Sequence, residues 1–331
     1  MELFLHIGLP KTGSSALQTL FSRHAQDLSR EGVRYADLAP SAKDNKISSG
    51  NGVDLFRWAS PAKQPPGFSP TEFEKHFRDI HFGDQSRALV SSELLGNLRA
   101  TEVLAIRELF TRLGVEVAPF CFVRNIYDHC YSLYLQSLKR HGLSVAFPEF
   151  ARVYEDPQIK ALSAWSEAFP NLRVLHYESN RTDLFTAAMA TMGISHVDAN
   201  VSNDRVNRSL TTAEAEMFRV LNALHQDPGF STRLSDRLIY QFPSKAYKFP
   251  LYPEVAEYLA KSHAAAISEV NQRFFSSHEL QIIDIASMDS YMAPPTELPC
   301  DVGDVLKILV DHILEQRNTV AKLKIQLKSQ M

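Results

Sequence analysis

One short segment, His6-Ile7-Gly8-Leu9-Pro10-Lys11-Thr12-Gly13-Ser14-Ser15, constrains the fold more than any other part of the chain. An apolar run, Leu3-Phe4-Leu5, leads into it, and Ala16-Leu17 and Leu20-Phe21 follow at helical spacing. It therefore reads as strand, glycine-containing turn, helix. Such a turn presents unpaired backbone N–H groups and the positive end of a helix dipole, which together suit an anion. Gly8 and Gly13 allow the backbone to approach closely, Thr12, Ser14 and Ser15 supply hydroxyls, and Lys11 supplies a mobile point charge. An ordinary Gly/Pro turn accounts for the glycines but not for the clustering of Lys, Thr and Ser.

The spacing nearly fits the nucleotide-binding P-loop, in which two glycines are separated by four residues. That pattern requires Lys and then Ser or Thr directly after the second glycine. Here Ser14 and Ser15 follow Gly13, and the lysine sits inside the loop at position 11. The phosphate cradle is kept while the magnesium-binding hydroxyl is not where an ATPase needs it. A P-loop kinase or NTPase would also place an Asp at the end of an apolar strand to hold magnesium. The strands in question end in Ser92-Glu93 and Val123-Arg124.

A second segment is independent of the first. In Phe120-Cys121-Phe122-Val123-Arg124-Asn125-Ile126-Tyr127-Asp128-His129-Cys130-Tyr131-Ser132, an apolar strand delivers an Arg, and a Ser follows eight residues later on the next helix. A guanidinium at a strand's carboxyl end can grip a phosphate bidentately, at the edge where open α/β sheets bind ligands.

Lys11 to Ser15 resembles the 5′-phosphosulfate-binding loop of sulfotransferases that use 3′-phosphoadenosine 5′-phosphosulfate (PAPS). The segment from Phe120 to Ser132 resembles their 3′-phosphate-binding segment, with Ile126 where a Pro is usual. The resemblance implies a P-loop-type α/β fold and PAPS as sulfuryl donor, with no metal. Lys11, Thr12, Gly13, Ser14 and Ser15 would hold the phosphosulfate, and Arg124 and Ser132 the 3′-phosphate. The acceptor would be a hydroxyl or amine on a carbohydrate or other small metabolite, since both motifs look closer to the carbohydrate and bacterial branches. By position after the corresponding strand, Glu93 is the expected base. Burial would raise its pKa and Lys11 would lower it, and the sequence leaves that balance open. The alternative for Glu93 is that it simply begins a short helix. A non-catalytic, sulfotransferase-like interaction protein is the alternative outside enzymology.

The 331 residues carry a net charge of -3, which disfavours a general binder of nucleic acid or anionic membrane, so any basic site is local. Three cysteines without metal-ligand spacing make a disulfide framework or thiolate metal site unexpected. With an apolar strand beginning at residue 2 and no apolar stretch of membrane-spanning length, a cytoplasmic protein is expected.

Alternating apolar runs and helical patterns predict a parallel sheet flanked by helices, with a mostly helical C-terminal half. Residues 1–290 are expected to form the α/β domain. Within it, 37–67 reads as a long loop around the apolar patch Val53–Trp58, and 228–252 as an aromatic and basic acceptor loop. Helices are expected from Ser15 to Gly32, from Ser69 to His81, from a Thr101 cap to Gly114, and from Pro253 to Phe275. Residues 301–331 are read as an amphipathic helix and a candidate for pairing two chains, although Arg317 and Lys324 interrupt its heptads. His6 and His24 are expected to pack in the core, and His129 and His141 to lie on the surface. Asn207, Arg208 and Ser209 are candidates for touching the nucleotide, or else simply form a polar helix-entry loop.

Overall fold

In the computed structural model, which describes residues 1–36, 49–194, 208–242, 248–275, 291–294 and 300–330, five strands form one sheet. They are β1 (Glu2–Ile7), β2 (Val33–Tyr35), β3 (Arg87–Ser92), β4 (Glu116–Val123) and β5 (Arg173–His176). All pairings are parallel, in the order β2-β3-β1-β4-β5. Phe4 of β1 stands opposite Leu89 of β3 and Ala118 of β4. Parallel strands covered on both faces need continuous apolar sequence, which is how Leu3–Leu5 and Phe120–Val123 read. The expected α/β class, a parallel sheet flanked by helices, is the one observed.

The chain packs as two compact units that interleave along the sequence. The first comprises Met1–His129, Glu155–Val206 and Ala260–Asp284, and it contains the sheet. On one sheet face Phe4, Leu89, Phe120 and Phe122 pack with Leu17 and Phe21 of helix α1 (Ser14–Arg23), Leu28 of α2 (Ala25–Arg30) and Met189 of α10 (Leu184–Thr191). Fully burying each such side chain contributes about 1.5–3 kcal/mol. Among the remaining helices, α4 (Pro70–His81) touches β3, and α5 (Ala100–Leu113) touches β4 and α8 (Pro157–Ala168).

Several local expectations change. The first helix is two, because His24 ends α1 and its ring nitrogen pairs with Asp27 at 3.1 Å in the first turn of α2. The patch read as part of a loop is helix α3 (Val53–Ala59). Thr101 is not a cap. Helix α5 starts one residue earlier, and the Glu102 carboxylate accepts the Arg99 backbone N–H at 2.7 Å, fixing the start there. Ser69 does cap α4, accepting the Glu72 N–H.

The second unit comprises Cys130–Tyr154, Asn207–Leu259 and Ile285–Met331. It holds most of α6 (Ile126–Arg140), α7 (Phe147–Arg152), α11 (Thr212–His225), α12 (Pro228–Gln241), α13 (Pro253–Ser262) and α15 (Cys300–Gln330). Tyr131, Tyr134, Phe147, Phe249 and Tyr252 pack against one another in tilted and edge-on contacts with ring separations of 4.8–5.8 Å. The buried Asn222 amide donates to the carbonyls of Leu138 and Leu143 at 2.9 and 2.7 Å. The region expected as an acceptor loop begins instead with α12, whose cap Asp227 accepts the Gly229 N–H. Its rings divide, with Phe249 buried and Tyr240 almost wholly exposed. The predicted helix from Pro253 to Phe275 breaks at His263, and α14 (Ala264–Phe274), which begins there, belongs to the first unit. Among the described residues, no helix is long and apolar enough to cross a membrane.

Candidate functional site

The three central strands β3, β1 and β4 lie side by side, and each delivers a candidate residue at its carboxyl end. Glu93 follows β3, the Gly8–Ser15 loop follows β1, and Arg124 follows β4. The connection from β3 to β4 passes over β1, so this edge is the switch point at which open α/β sheets bind ligands.

Lys11 and Gly13 both adopt left-handed backbone, with φ of 61° and 83°, and this curls the loop into the start of α1. A lysine in that region costs about 1–2 kcal/mol. No side chain caps α1 at Gly13, so its first-turn N–H groups are not taken up by a cap. Gly8 is required for another reason. A Cβ there would lie 2.8 Å from the Glu93 Cα, so the loop and the residue after β3 are in backbone contact.

The hydroxyls expected to donate to an anion are arranged differently. Thr12 Oγ1 and Ser14 Oγ both donate to the Leu9 carbonyl, at 2.8 and 3.0 Å. Both are buried, and their protons hold the loop together, whereas Ser15 is half-buried at the second position of α1.

Glu93 opens a single 3₁₀ turn, Glu93–Asn97, so the helix-start reading holds alongside any chemical role. Burial pushes its carboxyl above the ordinary range, and the Lys11 ammonium pulls the other way without cancelling the shift. The balance left open by the sequence thus falls to burial.

The Arg124 side chain reaches back to the loop. Its Nη1 donates to the Lys11 carbonyl at 3.1 Å, linking the two motifs across 113 positions. Its Nε lies 3.6 Å from Glu178 and its Nη2 3.7 Å from Asp128, and the guanidinium sits 5.0 Å over the Tyr177 ring. The Glu178 carboxylate also accepts the Asn125 backbone N–H at 3.2 Å and lies 3.2 Å from His176 Nε2. Burial raises Glu178 to about 7, against the pull of Arg124. Ser132 is buried two turns along α6, on the part of that helix assigned to the second unit.

His6 is a packing residue, stacked on Phe120 at 5.0 Å with Nδ1 2.8 Å from the Ser91 hydroxyl, and burial holds it neutral at about 3. His129, expected on the surface, is completely buried, and its Nε2–H donates to the Pro10 carbonyl at 2.9 Å. His141 is exposed as expected. Arg208 is buried and forked onto Glu214 at 2.7 and 3.0 Å, so the helix-entry reading accounts for it. Asn207 lies outside the described residues.

The sequence reading missed Glu178, Tyr177 and Gln158. A signal existed for the first two. They directly follow β5, and residues just past the ends of parallel strands converge on one edge.

No family model matches the chain, and no curated protein matches it. Among solved structures, a sulfotransferase from Alicyclobacillus acidocaldarius aligns over 81% of this chain and 94% of its own, at 12% identity and a TM-score of 0.42.

Proposed function

We propose that the chain is a PAPS-dependent sulfotransferase that moves a sulfuryl group to a hydroxyl or amine of a carbohydrate or other small metabolite, without a metal. One observation carries this reading: the Arg124 guanidinium donates to the Lys11 carbonyl, so two motifs that each resemble one end of a PAPS site form one cluster. The residues fit such a donor in kind. A loop with two left-handed residues and an α1 start without a side-chain cap suits a phosphosulfate, and a guanidinium beside it suits a second phosphate.

PAPS supplies an activated sulfuryl group. Lys11 neutralises charge developing on the leaving oxygen, the kind of preorganised stabilisation worth most in a water-poor site. Glu93 takes the acceptor proton, and its raised pKa brings it nearer to the pH at which a general base works best. Arg124 holds the 3′-phosphate. Glu178 and Asp128 neutralise Arg124 until that anion arrives. A carboxyl that protonates near neutrality, as Glu178 does, gives way readily to an incoming phosphate.

Thermal unfolding tests the proposal against a nucleotide triphosphatase. Adenosine 3′,5′-bisphosphate at a hundred times its Kd is expected to stabilise the fold by about 2.7 kcal/mol. ATP with magnesium at the same concentration is expected to do much less. Equal responses, or none, would sink the reading.

A further inference from the structure

Gln158, 34 positions after Arg124, makes a contact that nothing in either motif foretells. β4 pairs with β1 only as far as Phe120 and with β5 as far as Val123, so the sheet has no ladder partner to offer at Arg124. Buried backbone groups without partners are costly. Gln158 fills the role of the missing strand. Its Oε1 accepts the Arg124 backbone N–H at 2.7 Å, and its Nε2 donates to the Arg124 carbonyl at 3.1 Å. The same Nε2 faces the two Asp156 carboxylate oxygens at 3.3 and 3.4 Å. A backbone N–H only donates, and a carbonyl and a carboxylate only accept, so the amide has one possible orientation.

Asp156 is itself fixed. It caps α8 by accepting the Gln158 backbone N–H at 2.8 Å, and its side chain is almost wholly buried, 3.8 Å from His129. His129 in turn donates to the Pro10 carbonyl. His129 and Asp156 thus lie side by side between the Pro10 loop and Gln158, at a separation longer than a hydrogen bond. The Arg124 bond to the Lys11 carbonyl ties the clamped residue to the same loop.

We infer that Gln158 is a positioning residue. By clamping the Arg124 backbone it fixes the guanidinium relative to the Lys11 loop, and so sets the preference for a ligand carrying a second, separate phosphate. The inference rests on the sulfotransferase reading and deepens it. Orientation of this kind is lost with small displacements, and here its loss falls on the contact made by one phosphate.

The test is calorimetric binding of adenosine 3′,5′-bisphosphate and of adenosine 5′-monophosphate, which lacks the 3′-phosphate. The wild-type protein, Gln158→Leu and Gln158→Glu are compared across pH 5.5 to 8. Wild type is expected to prefer the bisphosphate. Gln158→Leu, which removes both backbone contacts, is expected to cut that preference about tenfold while leaving monophosphate affinity within about twofold. Gln158→Glu keeps the acceptor and, when protonated, regains a donor. Its preference is expected to approach wild type at the acid end and fall as the new carboxyl ionises beside Asp156. Each ratio is taken relative to wild type at the same pH, which removes the contributions of Glu178, Asp128 and His129. If Gln158→Leu does not fold, the Gln158→Glu profile decides alone. A folded variant whose preference matches wild type at every pH overturns the positioning role. A wild-type protein that does not prefer the bisphosphate overturns the sulfotransferase reading instead, so the two failures are separable.

Discussion

Glu93 sits between two opposed influences, a buried setting that favours its neutral form and a lysine that favours its charged one, and burial is the larger. A carboxyl with a raised folded pKa keeps its proton to higher pH, so chemistry that needs the carboxylate is off at low pH and appears as pH rises through the raised value. The acid limb of kcat/KM is therefore expected above the usual carboxylate value of about 4.3. Lys11→Ala, by removing the charge that lowers the pKa, is expected to move that limb further up. Glu93→Gln is expected to abolish the limb and lower kcat by about 10²–10⁴. A pH–rate profile whose limb survives in Glu93→Gln would assign the titration to another group. Lys11 and Arg124 were legible in the sequence because each sits in a short pattern tied to a strand end. Gln158 and Glu178 were not, because they meet the site from 34 and 53 positions away and carry no local pattern. The contacts of Thr12 and Ser14 with the Leu9 carbonyl were not legible either, because a hydroxyl rotates to meet whichever acceptor the folded loop brings near it.

At the level of elements, the strands were readable because a parallel sheet demands apolar runs, and Leu3–Leu5, Ala88–Val90 and Phe120–Val123 supply them. Helix ends were readable where a residue has one dominant use, as at Ser69 or at Gly114 with its φ of 62°. The breaks at His24 and His263 were not, since apolar spacing continues across them and neither position carries Gly or Pro. The contact between the β1 loop and the turn after β3 was equally invisible, because it depends on the space around Gly8. Gly8→Ala is expected to cost about 1–3 kcal/mol by overpacking against the Glu93 backbone, read as a lower midpoint in urea. Gly114→Ala meets open space and bears only the cost of its left-handed backbone, about 1–2 kcal/mol. Activity separates the two. The Gly8 variant is expected to lose turnover disproportionately because it moves Glu93, and the Gly114 variant is not. Parallel losses would mean that this contact positions nothing.

For the molecule as a whole, α15 stands out, because among the described residues its C-terminal half is almost wholly exposed. Ile313, Val320 and Leu327 stand seven residues apart with Leu323 between them, and each is about half exposed or more. Arg317 and Lys324, which interrupt a strict heptad, fall four residues after Ile313 and Val320, on the flank of this stripe. Two chains paired through this stripe would hide it. Light scattering at micromolar concentration is expected to give twice the 37.3 kDa chain mass. Val320→Asp combined with Leu327→Asp is expected to return the single-chain mass while the far-UV circular dichroism stays that of the wild type, with a lower unfolding midpoint because association no longer stabilises the fold. A wild-type protein at single-chain mass would refute the pairing. The left-handed lysine of the loop has a further consequence for how such a chain responds to selection. A library screened only for resistance to heat should enrich glycine at position 11, because glycine relieves the conformational cost that Lys11 carries there. A library screened for turnover should keep the lysine. Position 11 is thus where robustness and chemistry would draw the same gene in opposite directions.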